Sequence, residues 1–147
     1  MDDDAGASPC CGETSANACV FAKALLARTA ACECVRRRAL AEREVLECTS
    51  PVARTNCGTL AALLQERARF ALRLPPPGRP LIHMQALRLQ CGGLAALQQA
   101  LGGGERDVHR MVGQAQTRHG SLTELPWAAI VAALAAWQAP RRAGPRR

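Results

Sequence analysis

Cysteine is the residue type of this sequence with the most chemistry to offer. The chain has eight of them, at positions 10, 11, 19, 32, 34, 48, 57 and 91. Cysteine thiolates bind zinc and iron–sulfur clusters, and they form disulfides where the compartment is oxidising. Residues 1–4 are acidic and have neither the basic nor the apolar region of a secretory signal, so we expect a cytoplasmic location. In that reducing compartment, metal binding or redox chemistry explains the cysteines better than disulfides do.

Four of these cysteines are predicted to meet because of the order of the helices. Residues 18–47 contain no Gly or Pro, which predicts helix throughout, with a turn near residues 29–33 that divides it in two. In an up-down arrangement, helix ends alternate between two poles. The thiols expected at one pole are those of Cys19, Cys48, Cys57 and Cys91. If residues 18–47 formed one continuous helix instead, Cys34 would replace Cys19 as a ligand.

Cysteine spacing favours a [4Fe-4S] cluster over zinc at this predicted site. Structural zinc sites usually take their ligands from knuckles two to four residues apart, whereas these cysteines are widely separated along the chain. A cluster is larger than a single ion and accepts ligands from separate helices. Zinc is the alternative cofactor, and a third possibility is that the cysteines only fill the core, as free cysteines often do.

Other residue types give weaker signals. His83, His109 and His119 have no cysteine or carboxylate neighbour in the sequence at a spacing typical of metal ligands, so none is predicted to bind metal. No nucleophile motif and no phosphate-binding loop is present, and the sequence therefore indicates no catalytic residues.

The charge of the chain suggests what kind of partner it would meet. Its formal net charge is +7, and 18 of its 19 basic residues are arginine. Acidic residues interrupt the arginine clusters and no aromatic residue lies among them, which makes nucleic acid a possible but less favoured partner. An acidic redox protein is the favoured partner, because opposite charge speeds association. The longest uncharged apolar run, residues 125–139, is too short to span a bilayer, so no membrane partner is expected.

Composition and breaker residues predict an all-α fold. Apolar residues make up 48% of the chain but aromatic residues only 3%, and a composition dominated by Ala and Leu is typical of helical bundles. Further helices are predicted at residues 57–74, with Asn56 as N-cap, and at 81–90, where Gly92 and Gly93 form the C-cap. A helix from residue 108 to Gly120 and another at 126–139 follow.

These elements predict a bundle of about four helices followed by a C-terminal helical hairpin. The expected divisions are a flexible acidic arm (1–16), a cysteine-bearing bundle (17–101), the hairpin packed on it (105–139) and a disordered basic tail (140–147). The functional hypothesis is a small iron–sulfur protein that transfers electrons or senses redox state with a protein partner. The alternative is a zinc-stabilised or metal-free adaptor or nucleic-acid-binding module.

Overall fold

The computed structural model describes residues 17–76 and 79–139. In chain order, the elements within these residues are α1 (Ala22–Leu26), β1 (Val35–Leu40), β2 (Arg43–Cys48), α2 (Pro51–Leu72), α3 (His83–Ala100), α4 (Val108–His119), a 3₁₀ turn (Leu122–Glu124) and α5 (Trp127–Ala136). The predicted acidic arm and basic tail lie outside the described residues.

The fold is mixed, so the prediction of an all-α bundle is wrong. Residues 18–47, predicted to be two helices, contain only the five-residue helix α1 before the antiparallel hairpin of β1 and β2. Val35 pairs with Cys48 at the base of this hairpin, and Leu40 pairs with Arg43 beside its two-residue turn. The four helices expected to alternate between two poles are therefore not present, and the argument that located Cys91 at the pole of Cys19 loses its basis.

Cross-strand charge pairs explain how a segment rich in helix formers becomes a hairpin. Arg36 and Arg38 both approach the buried carboxylate of Glu47, at 3.6 Å each, and Arg37 lies 2.7 Å from Glu44. Pairs of opposite charge on neighbouring strands stabilise a sheet, and strand preference depends strongly on such context. Ala, Arg, Leu and Glu all have high helix propensity, but this preference is small per residue and is outweighed by these tertiary contacts.

Helix α2 begins earlier than the sequence predicts. Ser50 is its N-cap, and the Ser50 hydroxyl accepts a hydrogen bond from the backbone N–H of Ala53 at 3.1 Å. Pro51 is the first residue of the helix, since proline suits the first helical position, where no N–H is needed. Asn56 is therefore not the N-cap, and Cys57 lies in the second turn of the helix with its side chain buried.

Helix α3 passes straight through Gly92 and Gly93, which were expected to end it. A Cβ atom added at Gly92 would lie 2.6 Å from Cδ1 of Leu134 on α5, and one at Gly93 would lie 2.8 Å from Cδ1 of Leu64 on α2. The two glycines are thus required by the close approach of α3 to helices on both of its sides. They are packing residues and not a C-cap.

The core lies between α2, α3, α4 and α5. Its largest fully buried side chains are those of Phe21, Leu60, Leu64, Leu97, Val108, Met111, Ile130 and Leu134. The predicted helix from residue 108 to Gly120 is confirmed, and Gly120 adopts a positive φ of 82°. The apolar stripe of α4, which faces the core, consists of Val108, Met111, Val112 and Ala115. Helix α5 packs mainly on α3 and α2, so it is not one arm of a hairpin with α4.

No helix in the described part of the chain combines the length and apolar character needed to cross a bilayer.

Candidate metal centre

Four cysteines from four different segments surround one cavity. Cys19 precedes α1, Cys32 lies in the loop between α1 and β1, Cys48 ends β2, and Cys57 lies in α2. The space between them is about 10 Å³, roughly what one water molecule requires. The remaining lining residues are Val20, Phe21, Val35, Ala53, Arg54 and Val108. We call these four residues the thiol cluster.

Backbone pairing with β2 positions two members of the thiol cluster. The N–H of Cys19 donates to the carbonyl of Leu46 at 3.0 Å, and the N–H of Cys48 donates to the carbonyl of Asn17 at 2.7 Å. The segment before α1 therefore runs alongside β2 on the edge that β1 does not use. This pairing brings Cys19 and Cys48 to the same end of the hairpin.

The loop that carries Cys32 is held by the start of α4. The N–H of Ala31 donates a hydrogen bond to the carbonyl of Arg106, and the carbonyl of Ala31 accepts one from the N–H of Val108 at 2.8 Å. The Asp107 carboxylate accepts a 2.6 Å hydrogen bond from the N–H of Glu33 and also caps α4 by accepting from Arg110. Cys32 is thus fixed against the rest of the cluster by hydrogen bonds on both of its sides.

Burial raises the pKa of the Cys19, Cys32 and Cys57 thiols and so favours their neutral form when no cation is present. Desolvation raises the pKa of Cys57 to about 12 and that of Cys19 to about 11, and the neighbouring cysteines add to both shifts by repulsion between thiolates. The pKa of Cys32 is also raised, chiefly by burial. A bound cation would reverse this balance, because it stabilises the thiolate form of every ligand.

Backbone amides directed at sulfur oppose the effect of burial. The amides of Cys34 and His109 lower the pKa of Cys32, and the amide of Phe21 lowers that of Cys19. Arg54 adds a positive charge to the cavity wall, and its Nε donates to the carbonyl of Ala18 at 3.1 Å. Hydrogen bonds and positive charge near sulfur are features that stabilise bound thiolates.

Cys19, Cys48 and Cys57, expected to share a site, line this cavity, whereas Cys91 does not. Cys91 is buried in α3, where its sulfur accepts a 3.3 Å hydrogen bond from the Thr29 hydroxyl. Cys32 lines the cavity in place of Cys91. The alternation of helix ends between two poles could not predict the position of Cys32, because this position depends on the β-hairpin and on the contact of the Cys32 loop with α4.

Cys34, the expected substitute ligand, lies outside the cavity and belongs to a second group. Among the described residues, the one set of three potential ligand atoms lying within 4.8 Å of one another belongs to Glu33, Cys34 and His109. His109 was not expected to bind metal, because its partners are far from it in the sequence. The pairing of residue 31 with the start of α4 is the contact that brings them together.

The spacing of the sulfur atoms bears on which metal the thiol cluster fits. No three sulfurs of the described chain lie within 4.8 Å of one another. Tetrahedral zinc with Zn–S bonds of about 2.3 Å holds its sulfurs only about 3.8 Å apart. In any three sulfurs of the cluster at least one distance is therefore wider than tetrahedral zinc requires, whereas the small free volume is closer to the size of a single ion.

Comparison of the chain with protein families, with curated proteins and with solved structures found no match to any of them.

Proposed function

We propose that this protein binds a [4Fe-4S] cluster through Cys19, Cys32, Cys48 and Cys57 and acts in electron transfer or redox sensing. The observation that carries the proposal is the convergence of four thiols from four chain segments on one apolar cavity. Four cysteines are the usual ligand set of such a cluster, and free cysteines that only fill a core have no reason to converge. Because no three of the described sulfurs lie within 4.8 Å of one another, they are spaced more widely than around one tetrahedral zinc ion.

The surroundings of the thiol cluster suit a redox centre. When bound, a cluster of this type exchanges electrons at a potential set by hydrogen bonds to sulfur and by solvent access. The amides of Phe21, Cys34 and His109 supply hydrogen bonds to sulfur. Val20 and Val108 in the cavity wall limit the access of water. We further propose a reducing, cytoplasmic location, because the six described cysteines are free thiols.

Zinc is the second candidate, and the observation that favours it is the cavity volume of about 10 Å³. A cluster needs the thiol side chains to rotate outward, whereas a single ion needs less rearrangement. A zinc-bound form would be a structural element of an adaptor protein and not a redox centre.

Metal analysis of matched variants separates these candidates. The protein is purified without oxygen and analysed for iron, acid-labile sulfide, zinc and absorbance near about 400 nm, where iron–sulfur proteins are coloured. Serine at Cys19, Cys32, Cys48 or Cys57 is expected to remove most of the iron and sulfide. Cys91→Ser is the control, because Cys91 is also a buried free thiol but lies outside the cavity.

Each alternative outcome has a definite meaning in this experiment. A colourless protein with one zinc per chain would replace the cluster with the second candidate. Wild-type protein free of both metals, or full iron content in all of the serine variants, would show that the thiols only pack, and it would overturn the proposal.

An acidic protein is the partner that we propose for this centre. β1 begins directly after Cys34, and its three arginines have side chains between 54% and 67% exposed. These arginines extend from the base of the hairpin, where the thiol cluster lies, toward the turn. Nucleic acid is a weaker candidate, because Glu42 and Glu44 are also exposed on this hairpin.

The charge of the hairpin can be tested by electron-transfer kinetics. With an acidic flavodoxin as acceptor, Arg37→Gln combined with Arg43→Gln is expected to lower the association rate and its dependence on salt. Arg79→Gln is the control, since Arg79 is exposed and follows the far end of α2, a helix of about 33 Å. Equal association rates for the wild type and the Arg37→Gln, Arg43→Gln double variant would exclude the hairpin as the docking element.

A further inference from the structure

Glu33, Cys34 and His109 form a compact set of ligand atoms next to the thiol cluster but separate from it. One ligand atom from each residue lies within 4.8 Å of the other two, and the distance from Nε2 of His109 to Oε2 of Glu33 is 3.9 Å. The side chains of Glu33 and His109 are 43% and 40% exposed, so an ion can reach them from solvent. None of the three residues lines the cavity of the thiol cluster.

Contacts outside the group hold its members in place. Nη2 of Arg110 lies 3.1 Å from Oε1 of Glu33, which leaves Oε2 directed at His109. Asp107 binds the N–H of Glu33 and caps the helix that carries His109, so both sides of the group are fixed by one carboxylate. Metal-binding carboxylates commonly have their second oxygen occupied in this way.

The group opens onto a groove along α4. The groove has a volume of about 480 Å³, and Glu33, His109, Arg110, Gln114 and Arg118 are among the residues that line it. This volume is within the range of small-molecule sites. A ligand bound here would approach the metal from solvent, between the positive charges of Arg110 and Arg118.

We propose that Glu33, Cys34 and His109 form a second site, which binds one divalent transition-metal ion such as Zn²⁺ with its fourth position open to the groove. Carboxylate, thiolate and imidazole are all zinc ligands, and three protein ligands with an open position are typical of zinc sites that bind water or substrate. The proposal is independent of the cofactor in the thiol cluster, since the two sites share no ligand.

Zinc binding by the purified protein tests this proposal. Wild-type protein and variants are dialysed against Zn²⁺, and bound zinc, iron and sulfide are measured in the same samples. His109→Ala and Glu33→Gln are expected to bind one zinc ion per chain fewer than the wild type, with iron and sulfide unchanged. His119→Ala is the matched control, because His119 lies on the same helix and outside the group.

The iron and sulfide measurements distinguish failure of this inference from failure of the proposed function. Equal zinc binding by His109→Ala and the wild type would overturn the second site, whatever the iron content. Loss of iron and sulfide in Cys34→Ser would also overturn it, because Cys34 would then be a ligand of the cluster. Circular dichroism of each variant verifies that the fold is retained.

Discussion

At the scale of single residues, the burial of Cys19 and Cys57 makes the stability of the metal-free protein depend on pH. Both have a pKa well above the ordinary value of 9.0, chiefly because burial disfavours the thiolate. In the metal-free folded protein these thiols therefore keep their protons at pH values where the unfolded chain has released them. The folded state then binds more protons than the unfolded state, which makes its stability fall as pH rises.

We predict that metal-free, reduced protein loses stability from about pH 9 upward, and that Cys57→Ala loses less. The unfolded thiol ionises near 9.0, whereas Cys57 in the folded protein ionises near 12, so the loss occurs between these values. The measurement is the free energy of urea unfolding at pH values below and above 9.0. A pH dependence identical in the variant would show that Cys57 does not contribute.

At the scale of elements, α3 depends on its two adjacent glycines. Gly92→Ala places a methyl group 2.6 Å from Cδ1 of Leu134 and 3.3 Å from two atoms of Trp137. Overpacking is expected to lower the free energy of unfolding by roughly 1–3 kcal/mol, against a gain of about 1 kcal/mol in helix propensity. We therefore predict a net destabilisation of the Gly92→Ala variant. Thermal unfolding provides the measurement.

Gly113→Ala is the matched control for this substitution. Gly113 lies within α4, where an added Cβ atom meets nothing within 4 Å. There we expect the variant to be more stable than the wild type by up to about 1 kcal/mol. Destabilisation of equal size at both positions would contradict the assignment of Gly92 as a packing residue.

A second element-scale prediction concerns the cap of α4. Asp107→Ala removes the hydrogen bonds to Arg110 and Glu33, which join the helix to the loop of Cys32. We expect a loss of roughly 0.5–2 kcal/mol, the usual range for a lost N-cap, and faster amide exchange in residues 31–34. Ser50→Ala, which removes only the cap of α2, is expected to leave exchange in those residues unchanged.

The elements also show which parts of the structure could be predicted from sequence. Helix α4 and its end at Gly120 follow from local periodicity and a glycine stop, and both are confirmed. The β-hairpin could not be predicted this way, because it depends on Arg–Glu pairs across two strands, which form only once the hairpin exists and leave no trace in helical periodicity. The number of cysteines suggested a metal site, but choosing its ligands required the fold. Because the hairpin was missed, the predicted order of helices selected Cys91, whereas Cys32 lines the cavity.

At the scale of the whole molecule, the thiol cluster lies mainly in an N-terminal segment that shares one core with the later helices, through Phe21, Leu25 and Leu46. Its members come from residues 19–57, whereas the closest helix packing is that of α5 on α3 and α2. Metal is therefore expected to stabilise the two regions unequally.

We predict that removing the metal increases amide exchange in residues 17–48 more than in residues 83–136. Binding to the folded state stabilises most strongly the segments that supply its ligands. Hydrogen exchange before and after treatment with a chelator and oxidant provides the measurement, with Cys91→Ser treated in parallel as a control. A uniform increase along the chain would mean that the metal stabilises the core as well.

The position of the thiol cluster early in the chain has a consequence for biosynthesis. All four of its cysteines have been translated by residue 57, whereas Val108, which covers one side of the cavity, follows about 50 residues later. Translation at about 5–20 residues per second separates these events by roughly 3–10 seconds. All four thiols of the cluster are thus synthesised before the helix that closes one side of their cavity has been made.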